Sequence, residues 1–487
     1  KITSKTINEI INNLIEIKQN EEIGINGYDY YEKIIGLIID SMRFDDKNIL
    51  RNKFISKFFN KSNSIKEREI IKDEYIPFNI SKNIIIGKEE KNINCLSKTF
   101  MNNKSILQLL EKYREDSLKN RYVSNDDIMP LLDILKSHFE VAIIGHSVSK
   151  RPVFSVTLGN GPKKILMWSQ MHGNESTTTK ALFDLFNYFE LPNSEALLEA
   201  CTLFIIPILN PDGAEVYTRL NGRQIDLNRD AKDLSQSESK ILRTAYNNFK
   251  PHFCFNMHGQ RTIFSAGNTN NSAVISFLSP SENEERSLSV TRQKSMEIIQ
   301  VMNKALQPFL PHQIGRYDDG FNDNCVGDYF QSLGTPTVLF EAGHFPEDYN
   351  REKTRKYIAL ALISAIDYMS FNRISGANFK SYFEIPENGK LFNDIIIRNA
   401  LLDPSQPKVF NDVGIQYVEV LVSNTITFKP KVVFVGNLNK KHGHLEIDAE
   451  FKKVSHPDFQ VISENHEIDF ILINLTKKSL LVNDNLT

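Results

Sequence analysis

From about residue 139 to residue 372, short apolar runs typical of β-strands alternate with segments typical of α-helices. The runs KKILMWSQM, CTLFIIPIL and PTVLFEAG are of strand length and almost wholly apolar, as expected for buried strands. Between such runs, STTTKALFDLFNYF and SESKILRTAYNNF place apolar residues at helical spacing. This alternation predicts an α/β fold, in which a mixed, largely buried sheet carries helices on both faces.

The first two strands of this region are predicted to form a hairpin. EVAIIGHS and PVFSVTLGNG are separated by a turn between Val148 and Arg151. In open α/β sheets, ligands bind outside the carboxyl ends of the strands. Polar residues that directly follow the strands are therefore the first candidates for a functional site.

The segments on either side of the α/β region have different patterns. Residues 1–100 are rich in Ile, Asn and Lys, with helical periodicity in INEIINNLIEIKQN, and predict an N-terminal helical module or leader of unassigned role. Residues 376–487 alternate apolar and polar residues between turn signals and predict a small all-β domain. The α/β domain is thus expected to span residues 101–375.

The charge balance bears on the kind of partner. The chain of 487 residues carries 58 Lys and Arg against 60 Asp and Glu, a formal charge of -2. This balance gives no electrostatic reason to expect nucleic acid or an anionic membrane surface as a partner. A neutral substrate or small peptides fit better, and the sequence indicates no oligomeric state.

Cysteine usage and the terminal segment bear on location. Cys95, Cys201, Cys254 and Cys325 lie far apart without C-x-x-C spacing, so reduced thiols are expected. No apolar run reaches membrane-spanning length, and KITSKTINEI lacks the apolar core of a signal peptide. A cytoplasmic protein is the expectation, although the chain begins at Lys1 rather than Met and its N-terminus can be incomplete.

Metal-binding side chains follow two of the predicted strands. KKILMWSQM runs directly into HGNE, which supplies His172 and Glu175, and HFCFNM is followed by His258. Two histidines and one carboxylate leave one position of a tetrahedral zinc ion open for water, as in catalytic zinc sites. The sequence therefore predicts one Zn²⁺ per chain at these three residues.

Three further motifs lie between or beyond these ligands, namely NPDG at 210–213, DLNRD at 226–230 and FEAG at 340–343. Together with HGNE and NMHG, they occur in the order and at roughly the spacings of the zinc metallocarboxypeptidases of the carboxypeptidase A type. The resemblance covers about residues 105–372 and implies a carboxypeptidase-like fold. It also implies hydrolysis of a C-terminal peptide bond by metal-activated water.

The resemblance implies a role for each matching residue. His172, Glu175 and His258 would bind zinc, and Asp226 would accept a hydrogen bond from the non-ligating nitrogen of His172. Asn228 and Arg229 would hold the free carboxylate of the substrate, for which the guanidinium fork is suited.

The reaction itself is assigned to three further residues. The resemblance makes Glu341 the general base, and places Arg219 beside the scissile carbonyl oxygen, with Arg223 as its alternative. The mobile tyrosine of the family is assigned to Tyr317, with Tyr329 as the alternative.

Two other functional interpretations of the sequence compete with a carboxypeptidase. A deacylase or amidase of the same fold could act on N-acyl amino acids or cell-wall peptides, and these substrates also carry a free carboxylate. A binding module that has lost catalysis would have no use for Glu341 as a base.

The polar run KHGHLEID, which includes His444, is expected to be a solvated strand face rather than a second metal site.

Overall fold

The computed structural model describes residues 102–482. The helical module expected over residues 1–100 lies outside the described residues, so that prediction stays open. Within residues 102–482, no helix combines the length and the apolar character needed to cross a membrane.

Nine α-helices are present in the described part, together with three short 3-10 turns. In chain order, the helices are α1 (Asn103–Lys112), α2 (Asn125–Leu135), α3 (Thr177–Phe189), α4 (Glu195–Ala200), α5 (Pro211–Glu215), α6 (Ser237–Phe249), α7 (Val290–Leu306), α8 (Val326–Ser332) and α9 (Glu352–Phe371).

Nine of the strands precede α9. They are β1 (Glu140–His146), β2 (Pro152–Leu158), β3 (Lys163–Trp168), β4 (Cys201–Ile206), β5 (Phe253–Gly259), β6 (Ser265–Ala266), β7 (Ile275–Leu278), β8 (Ile314–Arg316) and β9 (Thr337–Ala342).

Eight of these strands form one sheet in the order β1-β2-β4-β3-β5-β9-β7-β8. The central strands β4, β3, β5 and β9 are parallel, whereas β1 pairs antiparallel with β2, and β7 pairs antiparallel with β9. The predicted mixed sheet is confirmed, and so is the hairpin of β1 and β2. The short strands β7 and β8 extend the sheet beyond the strands that periodicity predicts.

Helices cover both faces of this sheet. In β3, Ile165 and Met167 pack into one apolar cluster with residues of α3, α7 and α9. The alternate residues Leu166 and Trp168 pack into a second cluster with residues of α6 and α8. Because successive strand side chains point to opposite faces, the two clusters lie on opposite sides of the sheet. The expected helices on both faces are thus confirmed.

Eight further strands follow α9. They are β10 (Asn388–Gly389), β11 (Phe392–Ala400), β12 (Asn411–Val422), β13 (Thr425–Gly436), β14 (His442–Asp448), β15 (Val454–Ser455), β16 (Phe470–Ile473) and β17 (Thr476–Ser479).

These strands make the region after α9 predominantly β. The order β13-β12-β11-β14 forms a four-stranded sheet and β15-β16-β17 a three-stranded one, while β10 pairs with β6 of the α/β region. Their shared core is apolar and includes Ile395, Val413 and Ile471. The domain boundary expected near residue 375 stays a prediction, because the two regions also contact each other extensively.

His444 illustrates that contact. Its ring stacks on Phe392 at 4.5 Å between centroids, and its Nε2 lies 2.8 Å from the carbonyl oxygen of Thr262. The expectation of a solvated strand face is therefore wrong for His444, because the strand packs against the α/β region. Within residues 102–482, His172, Glu175 and His258 are the one cluster of three or more side chains that could hold a metal ion.

Candidate metal and substrate site

The metal-ligating candidates converge because their strands are parallel neighbours. β3 and β5 pair side by side, with Trp168 opposite Asn256. The loop after β3 carries His172 and Glu175, and the end of β5 carries His258. Parallel strands end at the same edge of a sheet, so residues separated by more than eighty positions meet there.

The loop between the first two ligands requires a glycine. A Cβ atom on Gly173 would lie 1.9 Å from the backbone carbon of Gly213, in the NPDG turn. Asn210 of the same turn accepts a hydrogen bond from the Gly213 N–H at 2.9 Å and donates one to the Met171 carbonyl at 3.2 Å. The motifs HGNE and NPDG thus pack on each other, which fixes the position of His172.

The donor atoms fit a zinc ion. His172 Nδ1 lies 2.9 Å from Glu175 Oε1, and His258 Nδ1 lies 3.0 Å from Glu175 Oε2. The two Nδ1 atoms are 3.1 Å apart, and one ligand atom from each residue lies within 4.8 Å of the others. Two imidazole nitrogens and a carboxylate that converge in this way form a donor set typical of catalytic zinc.

The protonation of His172 follows from its neighbours. Burial lowers its pKa, but the carboxylates of Glu175 and Asp226 outweigh burial and raise the pKa to about 9. For His258, burial prevails over the attraction of Glu175, and the pKa is lowered. Without metal, His172 is therefore an imidazolium at neutral pH, and a metal ion must displace its Nδ1 proton.

Asp226 holds two of the site's side chains. Its Oδ1 accepts a hydrogen bond from His172 Nε2 at 3.0 Å, and its Oδ2 accepts one from Arg219 Nε at 3.0 Å. Arg219 Nη1 also lies 3.6 Å from Glu175 Oε1. This places Arg219 beside the metal ligands, whereas Arg223 is exposed and does not line the cleft described below.

Asn228 and Arg229 lie on the 3-10 turn that follows Asp226. The N–H of Val326 donates to Asn228 Oδ1 at 3.0 Å, so the amide nitrogen is the end of that side chain left for a ligand. Arg229 is exposed, and its Nη1 donates to the Asn228 carbonyl at 2.8 Å. Both side chains line the same cleft as the metal ligands.

Glu341 is brought to the site by strand β9. In the sheet it lies directly opposite His258 on one side and Ser276 on the other. The residue is 9% exposed, and burial together with the nearby Glu175 carboxylate raises its pKa well above the ordinary value. A carboxylate with a raised pKa is suited to proton transfer near neutral pH.

Of the two candidate tyrosines, the structure places Tyr317 at the site. Tyr317 lines the cleft and packs on Phe264 at 5.5 Å between ring centroids. Tyr329 does not line the cleft, and its ring lies 4.1 Å from the Arg243 guanidinium. Burial, with Glu341 and Glu175 nearby, raises the pKa of Tyr317, so its hydroxyl stays protonated.

One cleft of about 730 Å³ is lined by the three metal-ligating candidates and by Arg219, Asn228, Arg229, Tyr317 and Glu341. The β region also lines this cleft through Glu419, which accepts hydrogen bonds from Arg121 Nη2 at 3.1 Å and from the Tyr217 hydroxyl at 2.5 Å. Arg121, Tyr217 and Glu419 were not predicted from the sequence. No sequence motif identifies these three residues, because the contacts of Arg121 and Tyr217 with Glu419 depend on how the β region packs.

Asn256 is another cleft residue that the motifs do not identify. It is fully buried, and neither atom of its amide group has a hydrogen-bond partner within the described residues. A signal was nevertheless available. Asn256 interrupts the apolar run HFCFNM two residues before His258, and strand periodicity places it on the same face as that ligand.

Comparisons with known proteins agree with this geometry. Residues 131–307 match the family model described as zinc carboxypeptidase. Carboxypeptidase SOL1 of Arabidopsis thaliana is 28% identical over 167 residues, which are 29% of this chain and 34% of that protein. Carboxypeptidase 2 of Trichophyton rubrum is 28% identical over 100 residues, or 20% of this chain and 19% of that protein. The chain thus spans about a third or less of the length of these curated relatives.

Solved structures show a likeness at lower identity. The metallo-carboxypeptidase from Burkholderia cenocepacia aligns with a TM-score of 0.42 and 20% identity, over 51% of this chain and 69% of that chain. Bovine thrombin-activatable fibrinolysis inhibitor, in complex with tick carboxypeptidase inhibitor, aligns with a TM-score of 0.40 and 16% identity, over 51% of this chain and 97% of that chain.

The matched segment contains HGNE, NPDG, DLNRD and NMHG, with all three metal-ligating candidates, whereas Tyr317 and Glu341 lie beyond it. The resemblance to the zinc carboxypeptidases stated from these motifs is confirmed over residues 131–307, the part of the chain that matches the family model.

Proposed function

We propose that this protein is a zinc-dependent metallocarboxypeptidase, which hydrolyses the C-terminal peptide bond of peptides. The main support for this proposal is that two chemically different groups of residues line one cleft. One group, His172, Glu175 and His258, suits a zinc ion, with Glu341 beside it. The other, Asn228 with Arg229, suits a carboxylate.

Each side chain has a task in this reaction. Arg229 would pair with the terminal carboxylate of the substrate, and the Asn228 amide nitrogen would donate a hydrogen bond to it. This anchoring positions the last peptide bond beside the metal ligands. Arg219, which lies 3.0 Å from Asp226 through Nε, would donate to the carbonyl oxygen as negative charge develops there.

Proton transfer is the task of Glu341. Zinc held by His172, Glu175 and His258 would supply Lewis acidity, polarising the carbonyl and making water more acidic. Glu341 would take the proton from the attacking water and then deliver it to the nitrogen of the departing amino acid.

The proposal is tested with blocked dipeptides whose C-terminus is either free or amidated. Zinc content is measured on the same preparation. We expect one zinc per chain and a preference of about 10- to 150-fold in kcat/KM for the free acid, because charge-assisted hydrogen bonds contribute about 1.5 to 3 kcal/mol. Equal cleavage of both peptides contradicts the carboxypeptidase assignment. Faster turnover of N-acyl amino acids than of peptides would favour the deacylase alternative.

A further inference from the structure

The backbone of Tyr217 adopts a conformation that tyrosine rarely takes. Its φ is 54°, in the left-handed region, where the Cβ atom crowds the following carbonyl. Such a conformation costs free energy and persists where the surrounding structure holds the residue in place. Tyr217 lies two residues before Arg219, which the proposed function places at the substrate carbonyl. The contacts that hold Tyr217 therefore bear on where Arg219 lies.

Strand β13 of the β region packs on the Tyr217 ring. Tyr217, Ile426 and Phe428 form one small apolar cluster, in which the three residues are 8%, 7% and 8% exposed. Ile426 and Phe428 are alternate residues of β13, so both side chains point to the same face of that strand. The tyrosine ring is thus anchored to the β region as well as to the turn that carries it.

The Tyr217 hydroxyl adds a directional contact. It donates to Oε2 of Glu419, on strand β12, at 2.5 Å. Burial raises the pKa of Tyr217, so the hydroxyl stays protonated and remains the donor. Hydrogen bonds to an ionised acceptor are shorter and stronger than those between neutral groups. Packing on β13 and this bond to β12 together fix the position of the side chain.

Glu419 is itself held from another side by Arg121. Arg121 Nη1 lies 3.0 Å from Glu419 Oε1, and its Nη2 donates to Oε2 at 3.1 Å. Arg121 is 7% exposed, and its carbonyl accepts a hydrogen bond from the Ser176 hydroxyl at 2.5 Å. Ser176 directly follows the metal-ligating candidate Glu175. Because a bidentate pair fixes the orientation of a carboxylate, Glu419 is a rigid acceptor linked to the metal-binding loop.

Arg219 needs support from its backbone, because its side chain is 45% exposed. The guanidinium is held by Asp226, whose Oδ2 lies 3.0 Å from both Nε and Nη2. One residue separates Tyr217 from Arg219. This residue is Thr218, whose N–H donates to the Gly213 carbonyl at 2.8 Å. A change at Tyr217 would therefore move Arg219, and misplacement by about 1 Å can cost about 100-fold in rate.

We propose that the β region positions Arg219 for catalysis, by holding Tyr217 through Glu419 and the apolar face of β13. The inference rests on the proposed function and gives the β region a part in it. Tyr217 and Glu419 are positioning residues, since both act through Arg219 rather than on the substrate. Arg219 would donate to the carbonyl oxygen as charge develops there. Loss of its position should therefore lower kcat and leave KM nearly unchanged.

The test removes the hydrogen bond from either end and uses blocked dipeptides with a free C-terminus. Tyr217→Phe keeps the ring, and we expect kcat to fall about tenfold or more while KM stays within about twofold. Glu419→Ala breaks the same bond from the β region and should lower kcat at least as much. Tyr368→Phe is the matched control, because its hydroxyl donates to Glu297 Oε1 at 2.8 Å and neither residue lines the cleft.

A double-mutant cycle separates positioning from a general loss of folded protein. In the Arg219→Ala background, Tyr217→Phe should change kcat by less than about twofold, because the group that it positions is already absent. A variant that only reduced the folded fraction would lower the rate by the same factor in both backgrounds. Equal factors in the two backgrounds therefore overturn the inference. An unchanged kcat in Tyr217→Phe, or a change confined to KM, overturns it as well.

The outcomes also separate this inference from the proposed function. If the cycle shows no coupling, the inference fails and the carboxypeptidase assignment stands. If the wild type releases no terminal residue, the proposed function fails, and amide hydrogen exchange decides whether the β region holds this segment. The Thr218 N–H should then exchange at least about tenfold faster in Tyr217→Phe than in the wild type or in Tyr368→Phe, which supports the inference. Equal exchange in all three proteins overturns it.

Discussion

His172 and Asp226 form a hydrogen bond of 3.0 Å between Nε2 and Oδ1, on the side of the imidazole ring opposite to the Nδ1 atom that faces Glu175 and His258. The carboxylate therefore determines which ring nitrogen faces the metal-ligand cluster. It also orients the ring before any metal arrives.

Removal of this carboxylate should weaken metal binding. Asp226→Ala leaves His172 Nε2 without its acceptor, and loss of such a partner typically costs about 10- to 100-fold in metal affinity. Competition with a chromogenic chelator measures the zinc dissociation constant. Asp233→Ala is the matched control, because this exposed carboxylate in the same loop accepts from Asn324 at 2.7 Å. An unchanged affinity in Asp226→Ala would contradict the assigned role.

Zinc uptake should release a proton. The pKa of His172 without metal is about 9, so below that pH a proton occupies the nitrogen that zinc requires. The apparent zinc affinity should therefore rise as pH increases towards about 9, by up to about tenfold per pH unit for one displaced proton. Calorimetry in buffers of different ionisation enthalpy counts the protons released at pH 7. Uptake without proton release would show that His172 is neutral in the free protein.

Glu341→Gln should lower turnover strongly without loss of metal. The substitution retains the shape of the side chain but removes the base, so kcat should fall by about 10²- to 10⁴-fold. Zinc content should stay at the wild-type value, because Glu341 is not among the metal-ligating candidates. Glu347→Gln, an exposed residue six positions later, should leave kcat unchanged. Near-normal turnover of Glu341→Gln would remove this residue from the mechanism.

Arg229→Ala and amidation of the substrate should have overlapping effects. Each change deletes the proposed ion pair, so each alone should lower kcat/KM by about 10- to 150-fold. Applied together, they should cost far less than the product of the two effects, because only one interaction is lost. A double-mutant cycle on free and amidated peptides measures this coupling. Fully independent effects would show that Arg229 does not contact the terminal carboxylate.

The buried ion pair between Asp184 and Arg355 should dominate local stability. Arg355 Nε lies 2.6 Å from Asp184 Oδ2, its Nη2 lies 2.5 Å from Oδ1, and the side chains are only 1% and 2% exposed. Asp184→Ala removes the bidentate partner of this buried guanidinium and leaves Glu352, at 3.2 Å from Nη1, as its remaining carboxylate, so the free energy of unfolding should fall by about 3 kcal/mol, the low end for a broken buried pair. Urea denaturation measures the loss. Asp133→Ala, which breaks the exposed pair with Lys136, should cost less than about 1 kcal/mol.

The sequence alone determined the α/β character of the region around the site and the residues that meet there. Apolar periodicity distinguishes strands from helices, and a histidine at the end of a strand or in the loop after it lies at the sheet edge, whichever neighbours that strand has. The structure accordingly brings His172, Glu175 and His258 within reach of one ion. The short strands β7 and β8 were missed, because runs of four and three residues carry too little periodicity.

Only the tertiary structure decided which of several chemically equivalent side chains reach the cleft. Arg219 lies there and Arg223 does not, and the same holds for Tyr317 and Tyr329. Within the part of the chain that the structure describes, it also left the Asn256 amide unpartnered. The packing of the β region likewise brought Glu419 to Arg121, almost three hundred residues away in sequence. Periodicity reports the face on which a residue lies, but a contact between distant segments depends on how whole elements pack, and no local pattern records that arrangement.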